Sequence, residues 1–377
     1  MSWPMVKLGD VINVHYGKAL KADQRVSDGS VHVFGSSGII GNHDKILCNY
    51  PTIIVGRKGS VGAITWAPNG GWIIDTAYYV EIKDNKKLDL RYLFHALSVI
   101  DLAKKTITTS IPGLNRDDLY DTYIRLPPFE EQIRIADLLN KADDIRQKRE
   151  QAIKVANDYL YSVFLDMFGD PVMNPKGFEI RVLSDFFIDE KNGTKCGPFG
   201  SALKKDEYTS EGVPVWNMDN ITLKGDFIDL PSLWVSENKY QALKSYSVLD
   251  GDVIISRAGT VGKMGVVRSI TEKSIISTNL IRVRFGEKLY PEYFVSLMTY
   301  CKGRVGNLKT GPDGTFTHMN TGVLSNLEFP YPPLELQKKY IKIRQSVMLI
   351  IDKYHHFGFR IDETFCAINQ TAFLCQP

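Results

Sequence analysis

No part of the chain approaches the ~20 consecutive apolar residues that cross a bilayer. The opening MSWPMVKLGD has no apolar block behind its basic residue, so neither a membrane partner nor a secretory leader is expected. Cysteine is scarce: Cys48, Cys196, Cys301, Cys366 and Cys375 are odd in number and share no metal-ligand spacing. They read as reduced thiols of a cytoplasmic protein, with no metal or cofactor expected. A charge excess is missing too. The 46 Lys and Arg nearly balance the 43 Asp and Glu, a formal net charge of +3, so any nucleic-acid surface must be a local patch.

Catalytic signatures are also missing. RKGSVG at 57–62 lacks the Gly-x-x-x-x-Gly-Lys-Ser/Thr order of a nucleotide-binding loop. LPPF at 126–129 is similar to the Asn/Asp-Pro-Pro-Phe/Tyr signature of amino-methylating DNA methyltransferases. There, however, Leu126 replaces the amide or acid that must hold the target amino group, and YPPL at 331–334 places Tyr331 in that position. DEK at 189–191 is a fragment of a nuclease carboxylate–lysine set without a partner acid, and His355-His356 has no further ligand nearby. No catalytic or metal-binding residue is assigned.

What is present is a repeat. RKGSVG at 57–62 returns as RAGTVG at 257–262, an offset of 200. VKLGD (6–10) faces RVLSD (181–185) at 175, VHVFGS (31–36) faces VPVWNM (213–218) at 182, and LDLRYLFHAL (88–97) faces LYPEYFVSLM (289–298) at 201. Asn115 and Leu119 face Asn320 and Leu324 at 205, as LPPFEEQ (126–132) faces YPPLELQ (331–337). The order is kept and the offset only grows, as expected of a tandem duplication whose second copy has gained loop residues.

From there the offset stays at 205 through Gln132/Gln337, Ile145/Ile350, Lys148/Lys353 and Phe168/Phe373. An extra loop residue costs little, whereas one inserted in a packed helix rotates everything beyond it by roughly 100°. Two long helices are therefore predicted, each entered through a Pro-Pro pair. Their expected stripes are Ile135, Leu138, Ala142, Ile145, Arg149, Ala152, Ala156, Tyr159 and Val163, and Tyr340, Ile343, Val347, Ile350, Tyr354, Phe357, Ile361, Thr364 and Ile368. Such long stripes suit each other as antiparallel partners, the alternative being that each helix packs on its own domain. Ahead of the helices, PTIIVGRKGSVGAITW and DVIISRAGTVGKMGVV read as β-branched strands joined by tight turns. The fold class is thus α/β (α+β), with expected bounds 1–126 and 170–330 for the two domains and 127–169 and 331–377 for the two helices.

In the repeated turn, Gly59 and Gly62 suit positive φ. Arg57 and Arg257 open both copies, and each can fork onto a guanine edge or phosphate, or pair with an acid inside its own domain. Lys58 follows Arg57. The loops GSSGIIGNHD (35–44) and KTITTSIPGLN (105–115) offer Ser36, Ser37, His43, Thr108, Thr109 and Asn115. In copy two KCGPFGSALKKDEY (195–208) offers Lys204 and Lys205, Asn217 follows the 213–216 run, and LKTGPDGTFTHMN (308–320) offers Lys309, Thr317, His318 and Asn320. These side chains can read base edges but are also ordinary turn formers.

The order of GPFGSALKKDEY, RAGTVG and LPPFEEQIRIADLLNKAD, on two α/β blocks alternating with two equal helices, resembles the specificity subunit of Type I restriction-modification systems over essentially the whole chain. The resemblance implies a non-catalytic DNA-binding subunit with two tandem target-recognition domains, each reading one half of a split double-stranded target. It also implies that the helices form an antiparallel coiled coil that sets the spacing and docks two methyltransferase subunits, with restriction subunits joining the complex. Docking is expected at Glu131, Gln132 and Arg134 on the first helix and at Gln337 and Lys338 on the second. Gly358, which costs ~1 kcal/mol in a helix relative to Ala, marks an expected kink among Tyr354, His355, His356, Phe357 and Phe359. The competing readings are a methyltransferase or nuclease with its own catalytic site, and a protein-binding scaffold.

Overall fold

The computed structural model describes residues 3–105, 113–258, 260–301 and 319–374. The chain divides into two compact units, residues 1–152 with 354–377, and residues 153–353. Each unit therefore takes one part of each long helix.

In the first unit, strands Ile12–Tyr16, Ala77–Ile82, Thr52–Gly56 and Ile64–Ala67 form an antiparallel sheet in that order. A smaller sheet pairs Val31–Gly35 antiparallel with Gly38–His43 and parallel with Trp72–Ile73. Met5–Lys7 pairs with Tyr123–Arg125. The second unit repeats each part. Thr194–Cys196, Leu280–Val283, Val253–Ser256 and Met264–Val266 make its four-stranded antiparallel sheet. Val213–Trp216 is again the strand with a parallel neighbour, Ile275–Ile276, and Glu179–Val182 pairs with Glu328–Tyr331. The repeated turn joins the same two strands in both sheets.

The fully buried strands read Ile53-Ile54-Val55 and Val253-Ile254-Ile255, β-branched residues that suit a pleated sheet covered on both faces. A helix lies against each sheet, Leu90–Ser98 in the first unit and Pro291–Cys301 in the second.

The central helix runs Phe129–Phe168 over 40 residues, and the C-terminal helix runs Leu334–Asn369 over 36. At 1.5 Å per residue they span about 60 and 54 Å. Within the first unit they run antiparallel: Ile135, Ala136 and Leu139 share a core with Phe365 and Ile368, whereas Arg146 and Arg149 meet Asp362. Within the second unit Phe164 and Phe168 pack on Tyr340 at 5.5 Å each. Phe168 also lies 4.8 Å from Tyr293, as Phe373 lies 5.3 Å from Tyr92 in the first unit. Those four residues are equivalent pairs of the repeat.

The stripe predicted for the helices needs correction. Leu138, Ile145 and Tyr159 are exposed, and Leu139, Ile153 and Leu160 face inward. On the C-terminal helix Ile350, Tyr354 and Phe357 are exposed and Ile351 is buried. Apolar residues occupy adjacent positions (Leu138-Leu139, Ile350-Ile351), so periodicity alone does not select the inward one. The middle of the contact is charged. Arg146 lies 3.2 Å and Arg149 3.7 Å from Asp362. A Cβ at Gly358 would collide with the Arg149 guanidinium, so the glycine makes room for that arginine. The expected interruption is not seen in the hydrogen bonding: the C-terminal helix stays α-helical through Gly358.

Among the described residues, no helix is long and apolar enough to cross a membrane.

Candidate nucleic-acid interface

The turn that opened the repeat has one design in both units. Gly56 N donates to Ala63 O and Gly62 N to Gly56 O, both at 2.8 Å; Ser256 N donates to Lys263 O at 2.7 Å and Gly262 N to Ser256 O at 2.8 Å. Gly59, Gly62 and Gly262 have φ of 79°, 76° and 86°, the left-handed region that a side chain disfavours. The arginine that starts each turn is held by its backbone. Arg57 N donates to Thr76 O and Arg257 N to Asn279 O, each at 2.9 Å, just before the strands Ala77–Ile82 and Leu280–Val283.

Neither guanidinium has an acid partner among the described residues. Arg57 donates through Nη1 to Asp75 O at 3.2 Å and lies 5.1 Å from the centroid of Tyr16 and 5.8 Å from that of Tyr78. Burial, opposed by Arg57, pushes the Tyr78 phenol up to about 12, so this ring stays neutral at physiological pH. Arg116 also lies over the Tyr16 ring, 5.4 Å from its centroid. In the second unit Arg257 lies 4.3 Å from the Phe199 centroid.

Around Arg57 the fold gathers several of the predicted residues. Ser36 and Ser37 form the two-residue turn between Val31–Gly35 and Gly38–His43, and Ser36 Oγ would touch a Cβ at Gly59 at 3.4 Å. Lys58 is exposed and bridges by backbone to Gly113, while Leu114 N donates to Arg57 O at 3.0 Å, which brings exposed Asn115 alongside. His43 is elsewhere. It ends the strand that begins at the Ser36-Ser37 turn, roughly 17 Å further along, and its ring meets Trp72 edge-on at 5.3 Å.

In the second unit a cavity of about 410 Å³ is lined in part by Lys205, Tyr208, Asn217, Ser277 and Asn279. Asn279 is the residue that holds the Arg257 backbone, so the turn and the cavity adjoin. Ser277 Oγ is buried there without a hydrogen-bond partner among the described residues. Asn217 Oδ1 accepts from Asp219 N at 2.6 Å and its amide donates to Ser232 at 3.1 Å, largely local duties. Lys204 is exposed, and its backbone N donates to Glu207 at 2.7 Å. Asn320 caps the helix Thr321–Ser325 through Val323 N at 2.8 Å. Thr108, Thr109, Lys309, Thr317 and His318 lie outside the described residues.

Two docking assignments are overturned. Gln132 and Gln337 are both 0% exposed, so neither side chain can touch a partner. Gln132 accepts from Asp89 N at 2.9 Å and donates to Lys87 O at 2.8 Å and Pro127 O at 2.9 Å. Gln337 accepts from Tyr290 N at 3.1 Å and donates to Pro332 O at 2.9 Å. Each glutamine ties the Pro-Pro entry of a long helix to the segment before the domain's own helix, which explains its recurrence. Glu131 and Arg134 pair with each other at 3.4 Å on the outer face, and Lys338 is exposed.

Sequence reasoning passed over a further repeat. ALKAD at 19–23 matches ALKKD at 202–206 at an offset of 183, after which the offset falls by one to the 182 of Val31/Val213, so the first copy has one more residue than the second between these segments. Lys21 N donates to Gln24 at 3.2 Å as Lys204 N does to Glu207. Just before these segments, Gly17 and Gly197 pass so close to the carbonyls of Ile74 and Ser277 that no side chain fits. These tight crossings place Tyr16 and Phe199 beside their arginines.

Residues 2–155 and 175–352 match the family described as Type I restriction modification DNA specificity domain. The chain is similar to the Type I restriction enzyme MjaVIII specificity subunit of Methanocaldococcus jannaschii, with 26% identity covering 93% of this chain and 87% of that one. It is also similar to the Type I restriction enzyme EcoBI specificity subunit of Escherichia coli, with 20% identity covering 93% and 80%. In fold it is similar to the crystal structure of the Type I restriction-modification S subunit from M. genitalium. That match has a TM-score of 0.68 at 18% identity and covers 100% of this chain and 97% of that one.

Proposed function

Because this chain belongs to the Type I restriction-modification DNA specificity family, we propose that its two units read the two halves of one split double-stranded DNA target. The chain supplies recognition and not chemistry. Residues 1–126 and 170–330 are the readers, and the central and C-terminal helices set the distance between the half-sites. Two methyltransferase subunits dock on the chain, and restriction subunits join the complex in the cytoplasm.

The observation that carries this reading is the equivalence of the two turns. The same fold element presents Arg57 and Arg257 at the same place in both units, amid different neighbours. One scaffold with different neighbours suits two unlike half-sites. A net charge of +3 is small for strong binding by phosphate contacts alone, which agrees with partners completing the grip.

Co-expression with the cognate methyltransferase, followed by sequencing of the methylated DNA, tests the proposal. A motif of two short blocks at a fixed gap is expected. A single contiguous motif would contradict it, as would turnover of plasmid by the purified chain alone with Mg²⁺ and S-adenosylmethionine.

A further inference from the structure

We propose that Tyr16 and Phe199 are positioning residues, which hold Arg57 and Arg257 in the plane needed to fork onto a guanine edge, one in each half-site. This inference rests on the DNA-recognition reading above and adds to it a residue role and a base.

Both rings stand in solvent, Tyr16 at 46% and Phe199 at 58% exposure, although large aromatic side chains favour burial. Both nevertheless lie beside an arginine that lacks an acid partner among the described residues, at 5.1 and 4.3 Å. The two rings are not equivalent in the repeat. Tyr16 immediately precedes Gly17, whereas Phe199 follows the matching Gly197 in the longer Pro198–Ser201 insertion. An arginine–ring contact is thus built from two different sequence positions, which inheritance of one residue does not explain, and Arg57 is held further by Tyr78 at 5.8 Å and Asp75 O at 3.2 Å.

The ring contact selects among possible ligands. A guanine offers O6 and N7 in the plane of its base, so a bidentate guanidinium must lie in that plane. A phosphate also accepts a bidentate fork, but its tetrahedral oxygens can take that fork in several planes, whereas the base edge admits one. A ring face fixes tilt and leaves the outer edge of the guanidinium open. For Arg257 that edge is unoccupied among the described residues, where its side chain makes neither hydrogen bond nor ion pair.

The test uses the complex with its methyltransferase and a duplex carrying the target found by sequencing. Phe199→Ala should lower methylation about fivefold, and Phe199→Trp should restore it. Replacing one guanine of the half-site with 7-deazaguanine, which lacks the N7 acceptor, should lower the wild-type rate and leave Phe199→Ala little further to lose. Arg257→Lys should behave like Arg257→Ala, because lysine keeps the charge without the fork. Tyr16→Ala should act in the same way on the other half-site. Full activity of Phe199→Ala beside a defective Arg257→Ala would overturn the positioning role and leave half-site reading intact. Full activity of Arg257→Lys, or an equal loss on all sequences, would point to phosphate contact and overturn the guanine assignment. Absence of any two-part target would instead overturn the DNA-recognition reading itself.

Discussion

Gly358 has no side chain because the Arg149 guanidinium fills that space, and Arg149 in turn lies 3.7 Å from Asp362. Helix propensity alone predicts that Gly358→Ala stabilises by ~1 kcal/mol. Against that gain stands only the displacement of the Arg149 guanidinium, the far end of a flexible side chain whose pair with half-exposed Asp362 is worth ~0–1 kcal/mol, so a net change of less than about 1 kcal/mol is expected. Thermal unfolding of Gly358→Ala, Arg149→Ala and the double variant measures this; in the Arg149→Ala background the glycine substitution should show its full gain of ~1 kcal/mol. Gln132→Ala leaves Asp89 N, Lys87 O and Pro127 O without their partner. A loss of about 3 kcal/mol is expected from such unsatisfied groups. Denaturant titration should show that any assembly defect of this variant follows its unfolding. His95 is buried, with Nε2 3.0 Å from Asn140 Oδ1, and burial outweighs that contact and lowers its pKa. The unfolded chain takes up this proton near pH 6.5, and the folded chain resists until lower pH. Stability is therefore full above pH 6.5 and falls as pH drops toward the lowered value. Melting curves from pH 7.5 to 5 should fall less steeply for His95→Gln.

At the scale of elements, much was legible from the offsets. Insertions are tolerated in loops and not in packed helices, so a growing offset marked the α/β blocks and a constant one marked the helices. The facing segments proved to be equivalent strands, such as Val31–Gly35 and Val213–Trp216. The face of each helix was not legible, because Leu138-Leu139 and Ile350-Ile351 offer two inward candidates each, and only the folded chain, which buries Leu139 and Ile351, decides between them. Gln132 and Gln337 misled for a related reason. A recurring polar residue on a helix reads equally as a docking contact or as a buried clamp, and only the carbonyls around it decide. The paired Tyr16–Arg57 and Phe199–Arg257 contacts were invisible as a repeat because the rings occupy non-equivalent positions around Gly17 and Gly197.

At the scale of the molecule, the helices of 40 and 36 residues act as a ruler in the proposed function. Seven residues inserted into both keep the inward faces in phase and add about 10.5 Å. That length corresponds to roughly three base pairs of duplex. Methylation mapping of such a variant should return the same two blocks with a gap wider by about three. The most direct measurement exchanges residues 1–126 for the same segment of a relative and sequences the DNA methylated by the resulting complex. The account predicts that one block of the motif changes and the other, with the gap, is retained. Two unchanged blocks, or two altered ones, would contradict it.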